Sequence, residues 1–241
     1  MQLLYFLEAR NSVREIKIYG SDHSWKFERV KMFEDVLKKE RPDVLIVEGT
    51  VMDYCSQLKE RNLSHEDVFK KYGDQGYFAF LAQRNEIPVE SWDLSFVERS
   101  RYALDKGLLS EVILAYHIFI RSRRILQSGV KPSEESIKKD LKSMLSSRDL
   151  GMANMDLDEI SQKYSGLPIA ELTLEKTLSL ISPKQNGVTN DINRIMNEAR
   201  DDHAIKVIQK AKEKYKKILV TAGALHLPIW EPAIKALYKR N

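Results

Sequence analysis

Hydrophobic positions along this 241-residue chain follow two periods, and the switches between them divide it. Residues 2–8 and 13–19 are apolar or alternating runs separated by Ala9-Arg10-Asn11-Ser12, which predicts two strands joined by a short turn. Phe27, Val30, Phe33, Val36 and Leu37 then recur at spacings of three and four, so residues 26–40 predict an amphipathic helix that Arg41-Pro42-Asp43 ends. Val44-Leu45-Ile46-Val47 is continuously aliphatic, as in a strand covered on both faces. Residues 13–48 therefore read as one βαβ unit with a parallel sheet. Two helices over 66–72 and 76–86 and a short strand over 87–93 follow.

From about residue 94 to 182 the strand period vanishes. Residues 97–106, 108–127 and 132–146 are amphipathic helical runs, with shorter ones over 157–164 and 168–180. Gly107, Ser128-Gly129, Gly151 and Gly166-Leu167-Pro168 punctuate them. A helix from Thr189-Asn190-Asp191 to about Tyr215, a strand over 217–221 and a last helix over 230–239 then resume the earlier pattern. The expected fold is a single α/β domain over residues 1–241, with a mostly parallel or mixed central sheet flanked by helices. Residues 94–182 form an all-helical insertion or cap within it.

Composition narrows the function classes. A net charge of +4 is mild, and the basic residues are spread over helix faces rather than gathered with aromatics, so no nucleic-acid surface is expected. The single cysteine, Cys55, excludes an intramolecular disulfide and a thiolate-rich zinc site, and suits a reducing compartment. The start meets Glu8 too soon for a secretory signal, and no stretch approaches the roughly 20 apolar residues of a membrane span. A soluble, cytoplasmic protein acting on a small-molecule or peptide substrate is the expectation.

The candidate chemistry sits at predicted strand ends. Gly20-Ser21-Asp22-His23 and Gly223-Ala224-Leu225-His226 both read Gly-x-x-His, and each glycine closes a strand-like run. With ten glycines and five histidines in the chain, chance supplies only about 0.2 such matches. Glu48 ends the aliphatic run at 44–47, and Asp93 lies just past the third strand. Parallel strands would carry His23, Glu48, Asp93 and His226 to one rim, where open α/β sheets bind ligands. Imidazole with carboxylate suits manganese, cobalt, zinc or iron(II), and Asp22 adds a further carboxylate. Arg200 would supply a fixed positive charge to a substrate anion or a developing oxyanion. His203, one turn after Arg200 on the same helix face, is placed behind these groups rather than among them. Plainer roles stand beside these: the histidines as helix caps, Glu48 paired with a lysine, Asp93 as an N-cap, and Arg200 bridging Glu198 or Asp201.

These motifs, in this order, resemble the TraB/Tiki superfamily, which takes in erythromycin esterase-like and ChaN-like proteins. The likeness covers residues 13–50 and 188–230 and leaves the helical middle unassigned. It implies a metal-dependent hydrolase of an amide or ester bond, with His23, His226, Glu48 and Arg200 forming the active centre. Which residue acts as base and which as ligand is left open. The chain departs from the pattern at Asp22, which adds a carboxylate, and at His203, where an apolar residue is expected. A ChaN-like protein that holds haem or another ligand without turnover, or a non-catalytic interaction module built on the helical block, are the alternatives.

Overall fold

The computed structural model describes residues 5–21, 27–49, 63–147 and 150–239. Strands β1 (Tyr5–Arg10) and β2 (Glu15–Ser21) lead into helices α1 (Phe27–Lys31) and α2 (Phe33–Glu40), then strand β3 (Val44–Val47). Helix α3 (His65–Arg84) and strand β4 (Val89–Ser91) follow. The helices α4 (Phe96–Asp105), α5 (Ser110–Gln127), α6 (Glu134–Asp140), α7 (Lys142–Leu145), α8 (Leu157–Ser165) and α9 (Leu174–Ile181) come next. Helix α10 (Val188–Lys214), strand β5 (Lys217–Gly223) and helix α11 (Leu227–Lys239) complete the order. The chain forms two compact units: Met1–Asp93 with Arg200–Asn241, and Leu94–Ala199.

In the first unit the five strands form one mixed sheet in the order β1-β2-β5-β3-β4. Only the β1–β2 pair is antiparallel; β2–β5, β5–β3 and β3–β4 are parallel. The α/β architecture is thus as expected, but β2 and β3 are not neighbours. The last strand inserts between them, with Glu15 opposite Lys217 and Val44 opposite Ile218. Asp43 helps to hold it there, accepting hydrogen bonds from the backbone N–H groups of Lys216 and Lys217 at 2.9 and 2.8 Å.

A period of two sends alternate strand residues to opposite faces, and both faces are covered. Leu45, Val47 and Leu219 pack with Phe33 and Leu37 of α2 and with Val68, Phe78 and Leu81 of α3. Val44, Ile46, Ile218 and Val220 pack with Ala204 and Ile208 of α10 and with Trp230 and Ile234 of α11. The neighbours of β5 are therefore covered by α2 and α3 on one face, while β5 runs into a helix on the other. In open α/β sheets such a switch point, outside the carboxyl ends of the strands, is where ligands bind.

One helix prediction differs in detail. The run over 26–40 is interrupted at Met32, and it ends at Arg41, whose φ of 45° leaves the helix just before Pro42. The helices read over 66–72 and 76–86 are the two halves of α3, which is kinked between them at Gly73, where φ is 70°. Asp74 Oδ1 then accepts from the Gln75 N–H at 2.9 Å. A Cβ added at Gly76 would lie 2.3 Å from Tyr72 Cβ, so Gly76→Ala is expected to cost roughly 1–3 kcal/mol through forced backbone movement. Equal urea midpoints for the variant and the parent would show that the kink has slack.

The second unit is helical, with no strand among the described residues. Helix α5 is its axis: Val112, Ile113, Leu114, Ile118 and Phe119 are buried against Ile137, Met144, Leu157, Ile160 and Ile181. Among the described residues no helix is long and apolar enough to cross a membrane.

Candidate active site

Strand β3 ends in Glu48, whose carboxylate is engaged at both oxygens. Oε1 accepts from Arg200 Nη2 at 2.5 Å, and Oε2 accepts from the Gly223 N–H at the end of β5 at 2.8 Å. Arg200 reaches across from α10 and also donates to Asp93, with Nε to Oδ1 at 2.8 Å and Nη2 to Oδ2 at 3.2 Å. One guanidinium thus joins two carboxylates, and all three side chains are largely buried, at 13% exposure for Arg200 and Glu48 and 5% for Asp93. Burial by itself disfavours the charged guanidinium, but the charges of Asp93 and Glu48 outweigh it and raise the Arg200 pKa. The guanidinium also lies over the ring of Trp92, 5.1 Å from its centroid.

These contacts decide between the roles open to Arg200, Glu48 and Asp93. Arg200 bridges neither Glu198 nor Asp201: Glu198 accepts instead from Tyr102 and Lys106. Among the described residues the cation paired with Glu48 is an arginine. Asp93 is not the cap of α4, because Ser95 is, in a capping box with Glu98.

The turn after β5 carries His226, on the short 3-10 segment Ala224–His226. Its Nδ1 lies 2.6 Å from Asp201 Oδ1, which also accepts from Trp230 Nε1 at 2.6 Å. An ionised carboxylate can only accept, so Nδ1 carries a proton, and in the neutral ring this tautomer leaves the lone pair on Nε2. Among the described residues Nε2 makes no hydrogen bond. The ring is held edge-on to Trp92, with centroids 5.2 Å apart, and tilted against Trp230 at 5.5 Å. Trp92 in turn donates Nε1 to the Thr221 carbonyl at 2.9 Å. It therefore ties the β4 end to β5 between Arg200 and His226.

Gln75, just past the kink in α3, closes the rim from the other face. Its Oε1 accepts from the Glu48 N–H at 3.1 Å and from Thr221 Oγ1 at 2.7 Å. A backbone N–H needs an acceptor, which fixes the amide orientation and leaves Nε2 as a buried donor with no partner. Asp74 Oδ2 accepts from Ser21 Oγ of β2 at 3.1 Å.

The structure therefore brings Glu48, Asp93 and Arg200 together at the carboxyl ends of the parallel strands and sets His226 beside the same tryptophan. In the sheet register Ser21 pairs with Gly223, so the strand ends preceding the two Gly-x-x-His histidines lie side by side. His23 and Asp22 lie outside the described residues. His203 is on α10 one turn past Arg200 and is half-buried. Among the described residues no group of three His, Cys, Asp or Glu side chains comes together as a metal site. Asp201 and Gln75 were not singled out by sequence. Asp201 reads as a surface neighbour of Arg200, although an adjacent helix position points about 100° away. Gln75 is signalled only by Gly-Asp-Gln-Gly standing before the apolar run at 77–82. No protein-family model and no curated protein matches this chain, so the TraB/Tiki resemblance rests on the motif residues themselves.

Proposed function

We propose that the chain is a metal-dependent hydrolase of an amide or ester bond, acting in the cytoplasm on a small-molecule or peptide substrate at the β5 rim. The observation that carries this reading is the Asp201–His226 pair. A carboxylate behind Nδ1 sets the tautomer and leaves Nε2 directed as a ligand, the usual arrangement behind metal-binding histidines. The donor chemistry fits manganese, cobalt or zinc, with His226 and, from the paired motif, His23 as the imidazole ligands. Such an ion, when bound, supplies an acidic water and polarises a carbonyl.

The remaining groups bind and orient. Glu48 serves as a positioning residue, because its two oxygens hold Arg200 and the Gly223 N–H and so set the turn that carries His226. Arg200 stays cationic and keeps Nη1 without a hydrogen bond among the described residues. With Gln75 Nε2, it offers a donor to a substrate oxygen as negative charge develops there. Trp92 and Trp230, both fully buried, exclude water from behind the imidazole.

The test is metal content by plasma mass spectrometry after loading with manganese, cobalt or zinc. The parent is compared with the His23→Ala, His226→Ala and Asp201→Asn variants. The parent should retain metal, each histidine variant should lose it, and Asp201→Asn should bind roughly 10–100-fold more weakly with its circular dichroism unchanged. A parent that holds none of the three metals, with variants that behave like it, would sink the hydrolase reading. A Soret band on haem addition would then favour the ligand-binding alternative.

A further inference from the structure

At the other edge of the same sheet, beside the amino ends of β2 and β5, lies a cavity of about 510 Å³. This is within the range of small-molecule sites. Ala233, Ala236 and Leu237 share one face of α11, and with Ile205 of α10 they make its wall apolar. Arg14 and Lys212 also line it. Their partners are main-chain carbonyls: Arg14 Nη2 reaches the Glu213 oxygen only at 3.5 Å, and Lys212 Nζ donates to that of Leu237. Arg14 Nε is buried with no partner, and so is the Tyr238 hydroxyl beneath Lys212, whose ammonium lies 5.1 Å from that ring's centroid. Among the described residues neither cation has a carboxylate within ion-pair distance. Glu213 lines the cavity as well, so its charged groups sum to +1.

We propose that this cavity binds an amphipathic monocarboxylate, a short fatty acid in its simplest form. The aliphatic tail lies against Ile205, Ala233, Ala236 and Leu237, and the carboxylate pairs with the Arg14 guanidinium with Lys212 beside it. Among the described residues neither cation has an acid of its own, and a charge-assisted hydrogen bond from Arg to a carboxylate is stronger than one to a main-chain carbonyl. A single negative charge balances the lining, whereas a phosphate dianion would overshoot it. The small side chains at 233 and 236 leave the space that the tail needs. This site stands apart from the β5 rim and does not depend on hydrolysis.

Isothermal titration of the full chain with octanoate tests the inference, with octanol as the head-group control and acetate as the tail control. Octanoate should bind saturably and both controls at least about tenfold more weakly. Arg14→Gln should weaken octanoate roughly 10–100-fold, the worth of a charged hydrogen bond. Ala236→Phe should fill the cavity and abolish binding, while His226→Ala binds as the parent does. The absence of saturable octanoate binding, or equal binding of octanol, overturns the proposal. So does parental affinity in Arg14→Gln, which holds even if Ala236→Phe proves unfolded.

Discussion

Replacing Arg200 by methionine is expected to lower the stability of the chain by about 3–5 kcal/mol at neutral pH. Methionine keeps much of the side-chain length and loses the charge, so what is measured is the cost of leaving Glu48 and Asp93 buried without their shared cation. The hydrogen bonds from Nε and Nη2 disappear together, and the contact with the Trp92 face goes with them. For a chain of this size each kcal/mol shifts the melting temperature by about 2–4 °C, so a fall of roughly 6–20 °C should be seen by calorimetry. The triple variant Arg200→Met, Glu48→Gln, Asp93→Asn should recover much of the loss, because neutral isosteres of a buried ion pair are often tolerated. A single variant within 1 kcal/mol of the parent at pH 7 would mean that water reaches these carboxylates.

Acidification below pH 6.5 should destabilise the helical unit through His117, by roughly 2 kcal/mol at pH 5. His117 is fully buried on α5, packed edge-on to Phe96 at 5.2 Å. Ser100 Oγ donates to the Phe96 carbonyl at 2.7 Å, so it accepts from His117 Nε2–H, at 3.0 Å, and leaves Nδ1 as a buried bare lone pair. Burial, reinforced by the positive charges of Arg99 and Arg121, drives its pKa from 6.5 down to about 3. Above pH 6.5 the imidazole is neutral whether the chain is folded or not, and it adds no pH dependence. Below that value the unfolded chain binds a proton that the folded chain refuses, so stability falls until the pH reaches the folded value. Urea midpoints at pH 7 and pH 5, for the parent and His117→Leu, isolate the effect. The leucine variant should lose less stability on acidification than the parent. Equal losses would show that His117 is not the group responsible.

The elements were legible because they follow from local physics. Alternation in 13–19, the aliphatic run at 44–47 and the spacing of Phe27, Val30 and Phe33 each report a buried face directly. Arg41-Pro42 is punctuation written in the residues themselves, whereas the cap of α4 was read at Asp93 and lies at Ser95. The break at Gly73 was legible as a gap between two helical runs, but its use was not. Only the packed helix shows that it turns Gln75 onto the Glu48 N–H.

The candidate centre divides in the same way. That His226, Glu48 and Asp93 stand just past strand ends was readable from sequence, since strand ends are marked by glycine and by acids too polar for the runs they follow. Which cation meets which acid was not readable, because Glu48 and Arg200 are 152 residues apart and their pairing depends on where α10 lies against the sheet. The same holds for Asp201 behind His226. Above all, local pattern made residues 13–48 a βαβ unit in a parallel sheet but did not say which strands are neighbours, and the tertiary structure puts β5 between β2 and β3. Hydrogen-bonding edges carry no address in the hydrophobic pattern. Strand order is decided only when the last strand, buried on both faces, finds the one slot where β2 and β3 can pair with it on either side and α10 and α11 can cover the face left open.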